Sequence, residues 1–407
     1  MFNNTSPERR NLAILFITQV IMMLGFGMII PILPFYIDLM GAQGRDLGIL
    51  MAIFAAMQLL FSPIWGDLSD RIGRRPVLMI GILGNAISML FFGLSTELWM
   101  MFASRALAGI LSSATIPTAM AYIGDSTSEE DRGGGMGILG AAMGLGMVFG
   151  PGLGGWLAGI NLSLPFFVAA GLSLLILVFV YFMLPESLPA KERSRATGRL
   201  QGPDFRQMWK ALWGPIGFLL ALSLLISFGM TNFEAVFGLY ALNRFGYDTK
   251  QVGIILTAIG LVSALVQGLL TGPLTRRFGE DRVIQASLLG SGTGFLLMLA
   301  AESFAGVLLT TSTFMLGNTL LRPAVSSLIS KRAEQGQGVA MGLSNSFMSM
   351  GRIVGPIWAG FVFDVNLSLP YISGAVVMAL ALISTFFRMS TRRGDTTQSV
   401  PAPERAD

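Results

Sequence analysis

The sequence predicts an all-α membrane protein with twelve transmembrane helices. Of its 407 residues, 53% are hydrophobic and only 12% are charged, and the mean hydropathy is +0.67. The apolar residues come in runs of about 20, the length that a helix needs to cross roughly 30 Å of hydrocarbon. A soluble chain of this length would split into domains with separate cores and would not show such runs.

Twelve apolar runs can be separated along the chain. We place them at residues 11–36, 47–65, 76–94, 98–122, 136–157, 165–184, 214–240, 251–270, 283–301, 304–329, 338–363 and 369–387. Helices are predicted because the runs are continuous, whereas the strands of a membrane barrel alternate apolar and polar residues. The 50 glycines favour close helix packing in lipid. The first run is too long for a signal peptide, so we expect it to be retained.

The chain has no cysteine and no histidine. Disulfides, thiol catalysis and thiolate metal sites are therefore excluded, and we expect neither a metal nor another cofactor. The sequence shows no constellation of a nucleophile with its base and no metal-binding cluster, so nothing in it indicates an enzyme. Without histidine, a side chain that takes up and releases a proton near neutral pH must be a carboxylate.

The distribution of positive charge predicts the orientation. With twelve spans both chain ends lie on one side, and all but six of the 27 Lys and Arg fall on that side. Arg45, Arg244 and Lys250 lie on the other side, and three arginines lie within spans. Cytoplasmic loops are enriched in Lys and Arg, so we expect cytoplasmic termini and a multi-pass protein of the inner (plasma) membrane. Insertion topology accounts for the positive charge, so no nucleic-acid partner is expected.

A hydrophilic stretch at 185–213 divides the spans six and six. We therefore predict an N-terminal six-helix bundle at 1–184, a cytoplasmic linker at 185–213, a C-terminal six-helix bundle at 214–390 and a disordered cytoplasmic tail at 391–407. Within the linker, Phe205, Met208, Trp209 and Leu212 are spaced as on one helix face. This spacing indicates either a short helix in the membrane interface or an ordinary loop.

The two halves repeat each other. GPLTRRFGEDRVI at Gly272 matches GDLSDRIGRRPVL at Gly66, an offset of 206. Gly355 and Pro356 match Gly150 and Pro151 at an offset of 205, and FGM recurs at an offset of 202. A parallel repeat predicts a binding site near the bilayer midplane between the halves, with alternating access by rocking.

The segment GDLSDRIGRRPVL lies in a short turn after the second span. Glycines there permit close helix approach, and its acids and arginines can pair across the interface. The segment resembles the signature loop of the major facilitator superfamily. That resemblance implies the fold of this superfamily and a conformational gate formed by Gly66, Asp67, Asp70, Arg71, Gly73 and Arg74. The second copy has Arg276 opposite Asp70, so the gate is expected to be asymmetric.

The fifth span contains GLGMVFGPGLGGWLAG. Its glycines and single proline predict a smooth, kinked face for close packing. The segment also resembles the motif of the proton-antiporting exporters of the superfamily, which implies export; the matching residues are Gly146, Gly150, Pro151, Gly154 and Gly155. LGFGMIIPILPFYIDLMG in the first span resembles the corresponding motif of the drug-efflux branch.

Charged residues inside spans are candidates for function, because insertion of one costs at least about 2.5 to 3.5 kcal/mol. Glu234 is the only carboxylate that we place well inside a span. It could take up a proton facing outward and release it inward, since burial favours the neutral acid; the alternative is a structural pair with Arg244. Arg105 lies seven residues into the fourth span, and its alternative is to snorkel to the outer surface.

The resemblance becomes more specific in the seventh, tenth and eleventh spans, which are similar to those of NorA-type multidrug/proton antiporters. It implies proton coupling by Glu234, with Arg105 as a modulator, and matches Arg105 and Arg322 to membrane arginines. It also matches Phe54, Gln58 and Phe237 to pocket positions. We expect substrate contacts from Phe54, Gln58, Arg105, Phe233, Glu234, Phe237, Tyr240, Arg322, Asn345 and Arg352.

The sequence departs from those antiporters at two positions. Where they have a second acid, three residues before the arginine of the tenth span, this chain has Thr319, and where they have an amide it has Arg352. One carboxylate would then face as many as three arginines. This balance weakens the expectation of a cationic substrate and brings zwitterionic and anionic amphiphiles into consideration.

These observations lead to a proton-coupled exporter of small amphipathic compounds, a multidrug efflux antiporter of the kind that confers antibiotic resistance. We expect a monomer whose partners are the substrate, protons and the lipid bilayer. The alternatives are an exporter of one metabolite or of a lipid-linked sugar, and, against the fifth-span motif, a proton-coupled uptake symporter. A channel or a nutrient sensor would not need an acid inside a span beside an exporter motif.

Overall fold

The computed structural model describes residues 7–128, 130–193, 202–333 and 336–390, and the regular elements in this part of the chain are helices, without strands. It has twelve helical segments long and apolar enough to cross a membrane, which confirms the predicted fold class. They are Arg9–Leu39, Gly44–Ile72, Arg74–Gly93, Leu98–Ser126, Arg132–Ala158, Leu164–Met183, Gly217–Phe245, Thr249–Phe278, Glu280–Leu299, Phe304–Arg332, Gln337–Val365 and Leu369–Phe387.

Several spans are longer than their apolar runs. The second span, predicted at 47–65, is the helix Gly44–Ile72, because polar residues continue a helix beyond the hydrocarbon that hydropathy detects. The first span is broken into the helices Pro7–Ile29 and Leu33–Leu39. Proline lacks a backbone donor and can begin a helix but interrupts its interior, so Pro31 and Pro34 account for this break.

Two other spans are irregular, and one further helix lies in the linker. A 3₁₀ turn at Ser112–Ala114 interrupts the fourth span, and a π-helical turn at Val266–Leu270 interrupts the eighth. The linker forms the helix Phe205–Leu212, capped by the Asp204 carboxylate, so the spacing reflects a helix; its position in the membrane interface stays a prediction. Met208 is buried whereas Trp209 is exposed. The predicted tail at 391–407 lies outside the described residues.

Small residues set the packing inside each half in the same way. The fifth span lies so close to the first that a Cβ on Gly150 would stand 2.8 Å from the Cα of Gly27. The eleventh span lies equally close to the seventh, and a Cβ on Gly355 would stand 2.8 Å from the carbonyl oxygen of Phe228. The predicted repeat therefore appears in three dimensions as two equivalent helix pairs.

The halves meet at one end of the molecule. We call the end at which the helices of the first and last spans have their chain termini the terminal end, and the opposite one the distal end. At the distal end the Asp364 carboxylate accepts the backbone N–H groups of Gly44, at 2.7 Å, and Arg45, at 3.0 Å. The Thr249 hydroxyl donates to the Gly155 carbonyl at 3.1 Å. These contacts join spans 2 and 11 and spans 5 and 8, and they close the distal end.

The terminal end is open. In the described part of the chain, no other helix comes within 4 Å of the Cβ positions that side chains would have at Gly137, Gly140 and Gly144 of the fifth span. The same holds at Gly268 of the eighth span and Gly342 of the eleventh. The paired spans therefore diverge from the distal end, and a crevice between the halves opens at the terminal end.

Candidate substrate and proton site

Glu234 lies in the middle of the seventh span at the crevice. It is half-buried, whereas its neighbours Phe233 and Ala235 are buried. Its carboxylate interacts electrostatically with Arg352 on the eleventh span. The alternative pair with Arg244 is wrong, because Arg244 instead donates to the Tyr240 hydroxyl and, at 2.8 Å, to the Leu299 carbonyl.

Arg352 connects the two halves. Its Nη1 atom donates to the amide Oε1 of Gln58 on the second span at 3.4 Å, and it interacts electrostatically with both Glu234 and Arg322. Two predicted pocket residues, Gln58 and Arg352, thus meet across the crevice. The structure places Arg352, rather than Arg105, beside the predicted coupling acid.

Arg105 is buried inside the first half rather than extended to the distal surface. Only 5% of the residue is exposed, so the snorkelling alternative is wrong. Its guanidinium carbon lies 5.6 Å from the ring centroid of Phe54 and 5.7 Å from that of Phe92. Gly109, one turn further along the fourth span, packs against the Phe54 backbone and brings the two helices together. Cation–π contact holds the guanidinium between the rings.

Arg322 and Thr319 share the tenth span but face different neighbours. Arg322 lies in a small pocket with Ser223 and Ile226 of the seventh span and Met348 of the eleventh. The Thr319 hydroxyl is 2.9 Å from that of Ser263 on the eighth span. Thr319, which stands where the related antiporters have a second acid, therefore forms a hydrogen bond between two helices of the second half.

The other predicted pocket residues divide between core and surface. Phe233, Phe237 and Tyr240 are at most 2% exposed and pack into the core of the second half, where Phe233 lies 5.1 Å from the ring of Phe314. In this conformation they do not line the crevice. The reason is packing against the neighbouring helices of the second half, since the ring of Phe233 lies against that of Phe314 and the ring of Tyr240 lies 4.5 Å from that of Tyr371. Asn345 is exposed on the eleventh span, two turns towards the terminal end from Arg352.

The charges of the predicted gate pair within the first half. The Arg71 guanidinium binds the Asp67 carboxylate at 2.8 Å, and Arg74 is paired with Asp70 and, at 2.8 Å, with Asp125 of the fourth span. These pairs join described residues of the first half, and pairing of the gate across the interface stays a prediction. Gly73 has a φ of +112°, a backbone conformation that favours glycine over residues with a side chain.

The glycines of the fifth span serve two interfaces. Gly146, Gly150 and Gly154 pack against the backbone of the first span, while Gly155 packs on Thr249 and Gly253 of the eighth span. One face of the helix therefore holds the first half together, and the other meets the second half at the distal closure. Helix rocking about such a contact needs a smooth backbone surface, which glycine provides.

The sequence interpretation missed several residues that complete these sites. Asp364, Asp125, Phe92 and Phe26 were not singled out. The ring centroid of Phe26 lies 5.5 Å from that of Phe54. The repeat could have identified Asp125, because Lys331 lies 206 residues later and also forms an ion pair. No signal in the sequence identifies Asp364, since it resembles an ordinary acid at the end of a span.

Comparison with known proteins places the chain in a family. The profile of the Major Facilitator Superfamily matches residues 15–270 and 219–406. Multidrug resistance protein 1 of Bacillus subtilis (strain 168) is 35% identical over 381 residues, covering 93% of this chain and 96% of its own. Quinolone resistance protein NorA of Staphylococcus aureus is 29% identical over 376 residues, covering 92% and 95%.

Solved structures agree on the fold. The crystal structure of a mutant of the nucleoside transporter NupG superposes with a TM-score of 0.78 at 17% identity, covering 94% of this chain and all of its own. At that identity the likeness concerns architecture alone. Because the superfamily profile covers most of the sequence, and a relative more than 30% identical spans nearly its whole length, the chain belongs to the major facilitator superfamily and is a multi-pass membrane transporter.

Proposed function

We propose that the protein is a proton-coupled antiporter of the plasma membrane that exports small amphipathic compounds, with both termini in the cytoplasm. The names of its relatives support efflux of several drugs. The excess of Lys and Arg at the terminal end supports the orientation. In this orientation the crevice is open to the cytoplasm, and the distal end is the extracellular side.

The observation that carries proton coupling is the position of Glu234. Among the described residues it is the one carboxylate in the middle of a span, it lies at the crevice, and it interacts electrostatically with Arg352. Protonation of Glu234 from the outside would remove its attraction for Arg352, and release of the proton into the open cytoplasmic crevice would restore it. A single acid can thus make the charge of the crevice depend on the side to which it is open.

The cycle follows from these positions. A substrate enters the crevice from the cytoplasm while Glu234 is ionised. The halves then rock, the distal contacts of Asp364 and Thr249 open, and the substrate leaves as Glu234 takes up an external proton. The protonated protein returns to the state described here and releases its proton inside. Rocking about a central site is the general mechanism of parallel-repeat transporters.

Proteoliposomes with an acidic lumen test this function. Molecules inserted with their cytoplasmic side outward should accumulate a dye in the lumen while a luminal pH indicator reports alkalinisation. Glu234→Gln should abolish acceleration by the pH gradient, because the amide cannot exchange a proton, and should keep dye binding within about threefold of wild type.

Glu97→Gln is the matched control, since Glu97 is exposed at the distal end, and it should transport as wild type does. Gradient-driven dye movement that survives in Glu234→Gln would contradict the proposal. Dye movement in the same direction as the protons would instead support the uptake symporter.

A further inference from the structure

The charges in the interior of the spans do not balance. Three arginines, Arg105, Arg322 and Arg352, lie there with a single acid, Glu234, which leaves a formal charge of +2. Among the described residues, no carboxylate oxygen lies within 4.0 Å of any of these three arginines, whereas Arg71 and Arg74 both have such partners. The imbalance therefore distinguishes these three arginines from the paired arginines of the gate.

Arg105 carries the strongest sign of a missing partner. The residue is 95% buried, and its Nε atom has no hydrogen-bond partner among the described residues. The rings of Phe54 and Phe92 interact with its charge but offer no acceptor for its N–H groups. A buried donor without an acceptor is destabilising. A hydrogen bond from this guanidinium to an oxygen of a bound molecule would therefore be favourable.

Arg352 and Arg105 are brought to the same face of the second span. Arg352 contacts Gln58, and Arg105 contacts Phe54, and residues four apart on a helix lie one turn apart on one face. Arg322 lies close enough to Arg352 for the two like charges to repel. An anion bound at this face would relieve that repulsion and would lie beside the aromatic pair Phe26 and Phe54.

We propose that the preferred substrates are acidic amphiphiles. Their carboxylate, sulfonate or phosphate group would bind between Arg352 and Arg105 along the second span, and their aromatic body would lie on Phe54 and Phe26. Guanidinium groups match such oxyanions with two parallel hydrogen bonds, which an ammonium or quaternary amine substrate cannot accept. This inference deepens the proposed function and rests on it for the direction of transport, but binding tests it separately.

Two pairs of permanently charged dyes with matched bodies provide the experiment. The pairs are sulforhodamine B with rhodamine 6G, and naphthalene-2-sulfonate with naphthyl-2-trimethylammonium. Equilibrium binding to the purified full chain should be at least about tenfold tighter for both anionic members, the gain expected from one or two charge-assisted hydrogen bonds. Raising the salt concentration should weaken the anionic members more than the cationic ones.

Arg352→Gln is the informative variant, because glutamine keeps a donor for Gln58 while the charge is lost. It should weaken anion binding at least about tenfold and leave cation binding equal or tighter. Arg206→Gln removes one positive charge from the exposed linker helix and should change neither. Should Arg352→Gln fail to fold, as judged by gel filtration, Arg322→Gln removes the neighbouring positive charge from an exposed position. It should shift the anion-to-cation ratio in the same direction by a smaller factor, and an unchanged ratio would count against the inference.

Tighter binding of the cationic members, or no binding of either anionic member, would overturn the inference. An unchanged anion-to-cation ratio in Arg352→Gln would do the same. These outcomes are distinct from failure of the proposed function. A protein that moves rhodamine 6G under a pH gradient and loses this in Glu234→Gln remains a proton-coupled exporter but not one for acids. A protein that binds sulforhodamine B, but whose dye transport does not respond to the pH gradient, selects acids but is not proton-coupled.

Discussion

The two halves share their backbone geometry but carry opposite charges at the equivalent gate. Gly73 and Gly279, 206 residues apart, both have positive φ, and each stands between two consecutive spans of its half. Around them, three members of the first half's charge cluster are replaced by their opposites in the second half: Asp70 by Arg276, Arg74 by Glu280, and Asp125 by Lys331. The other two are not reversed, since Asp67 is replaced by Pro273 and Arg71 by Arg277. In both halves the central residue of the cluster pairs with the residue 51 positions later.

This difference indicates that the repeat retains the position of an ion pair, whereas the signs of the two charges in the pair can exchange. An ion pair needs complementary charges at a fixed separation, and either arrangement satisfies that need. The surroundings are not equivalent, however. The Arg74 side chain is 9% exposed and has two carboxylate partners, whereas the Lys331 side chain that pairs with Glu280 is 62% exposed.

The largest effect is expected for charge reversal in the first half. Arg74→Glu would place three carboxylates together in a mostly buried site and should destabilise the folded protein by roughly 3 kcal/mol. Unfolding in detergent, followed by tryptophan fluorescence, measures this.

The triple variant Asp70→Arg, Arg74→Glu, Asp125→Lys gives the first half the signs of the second and should recover at least half of the lost stability. No recovery would show that the signs are fixed by further neighbours, such as Glu186, whose carboxylate accepts the Arg74 N–H at 2.8 Å.

The distal closure is asymmetric as well, and it gives the second prediction. Asp364 ties spans 2 and 11 together, but its repeat-related position is Gly159, which packs against the Lys250 side chain without a carboxylate. Asp364→Asn would leave one of two backbone donors without its charged acceptor. It should weaken the distally closed state by about 2 kcal/mol, roughly a 30-fold shift in population.

Distances between spin labels measure this shift, and the cysteine-free sequence makes labelling specific. With labels at Ile160→Cys and Val365→Cys, both highly exposed at the distal end, Asp364→Asn should lengthen the separation. A distribution identical to that of the unmodified background would contradict a role for Asp364 in closure. Asp38→Asn, another exposed distal acid, serves as the control.

The smallest effect is expected in the second half. Glu280→Gln removes the charge that faces Lys331 but keeps an acceptor for the Ser327 hydroxyl, which donates to Glu280 at 2.9 Å. Because the lysine is mostly in solvent, the loss should be under about 1 kcal/mol in the same unfolding experiment. A loss as large as that of Arg74→Glu would erase the distinction between the halves.

Much of the fold was predictable because it is dictated by local properties of the chain. Hydropathy fixes the number of spans, and the glycine positions at constant offset predict which helices pack closely. The breaks near Pro31, Ser112 and Val266 were not predicted, because a short irregular turn leaves the apolar pattern unchanged. Likewise Phe237 was assigned to the pocket by resemblance, and Phe233 and Tyr240 because they share the seventh span with Glu234, but which face of a helix points at a neighbour depends on packing.

The amino-acid sequence alone determined the twelve spans, the parallel repeat and the residue types available for proton and substrate chemistry, because these depend on composition and spacing. Only the tertiary structure decided that Arg352 lies beside Glu234, that Arg105 is buried without a carboxylate partner, and that Asp364 closes the distal end. Those pairings join residues as many as 320 positions apart. Their partners are selected by how whole helices pack, which no local pattern records.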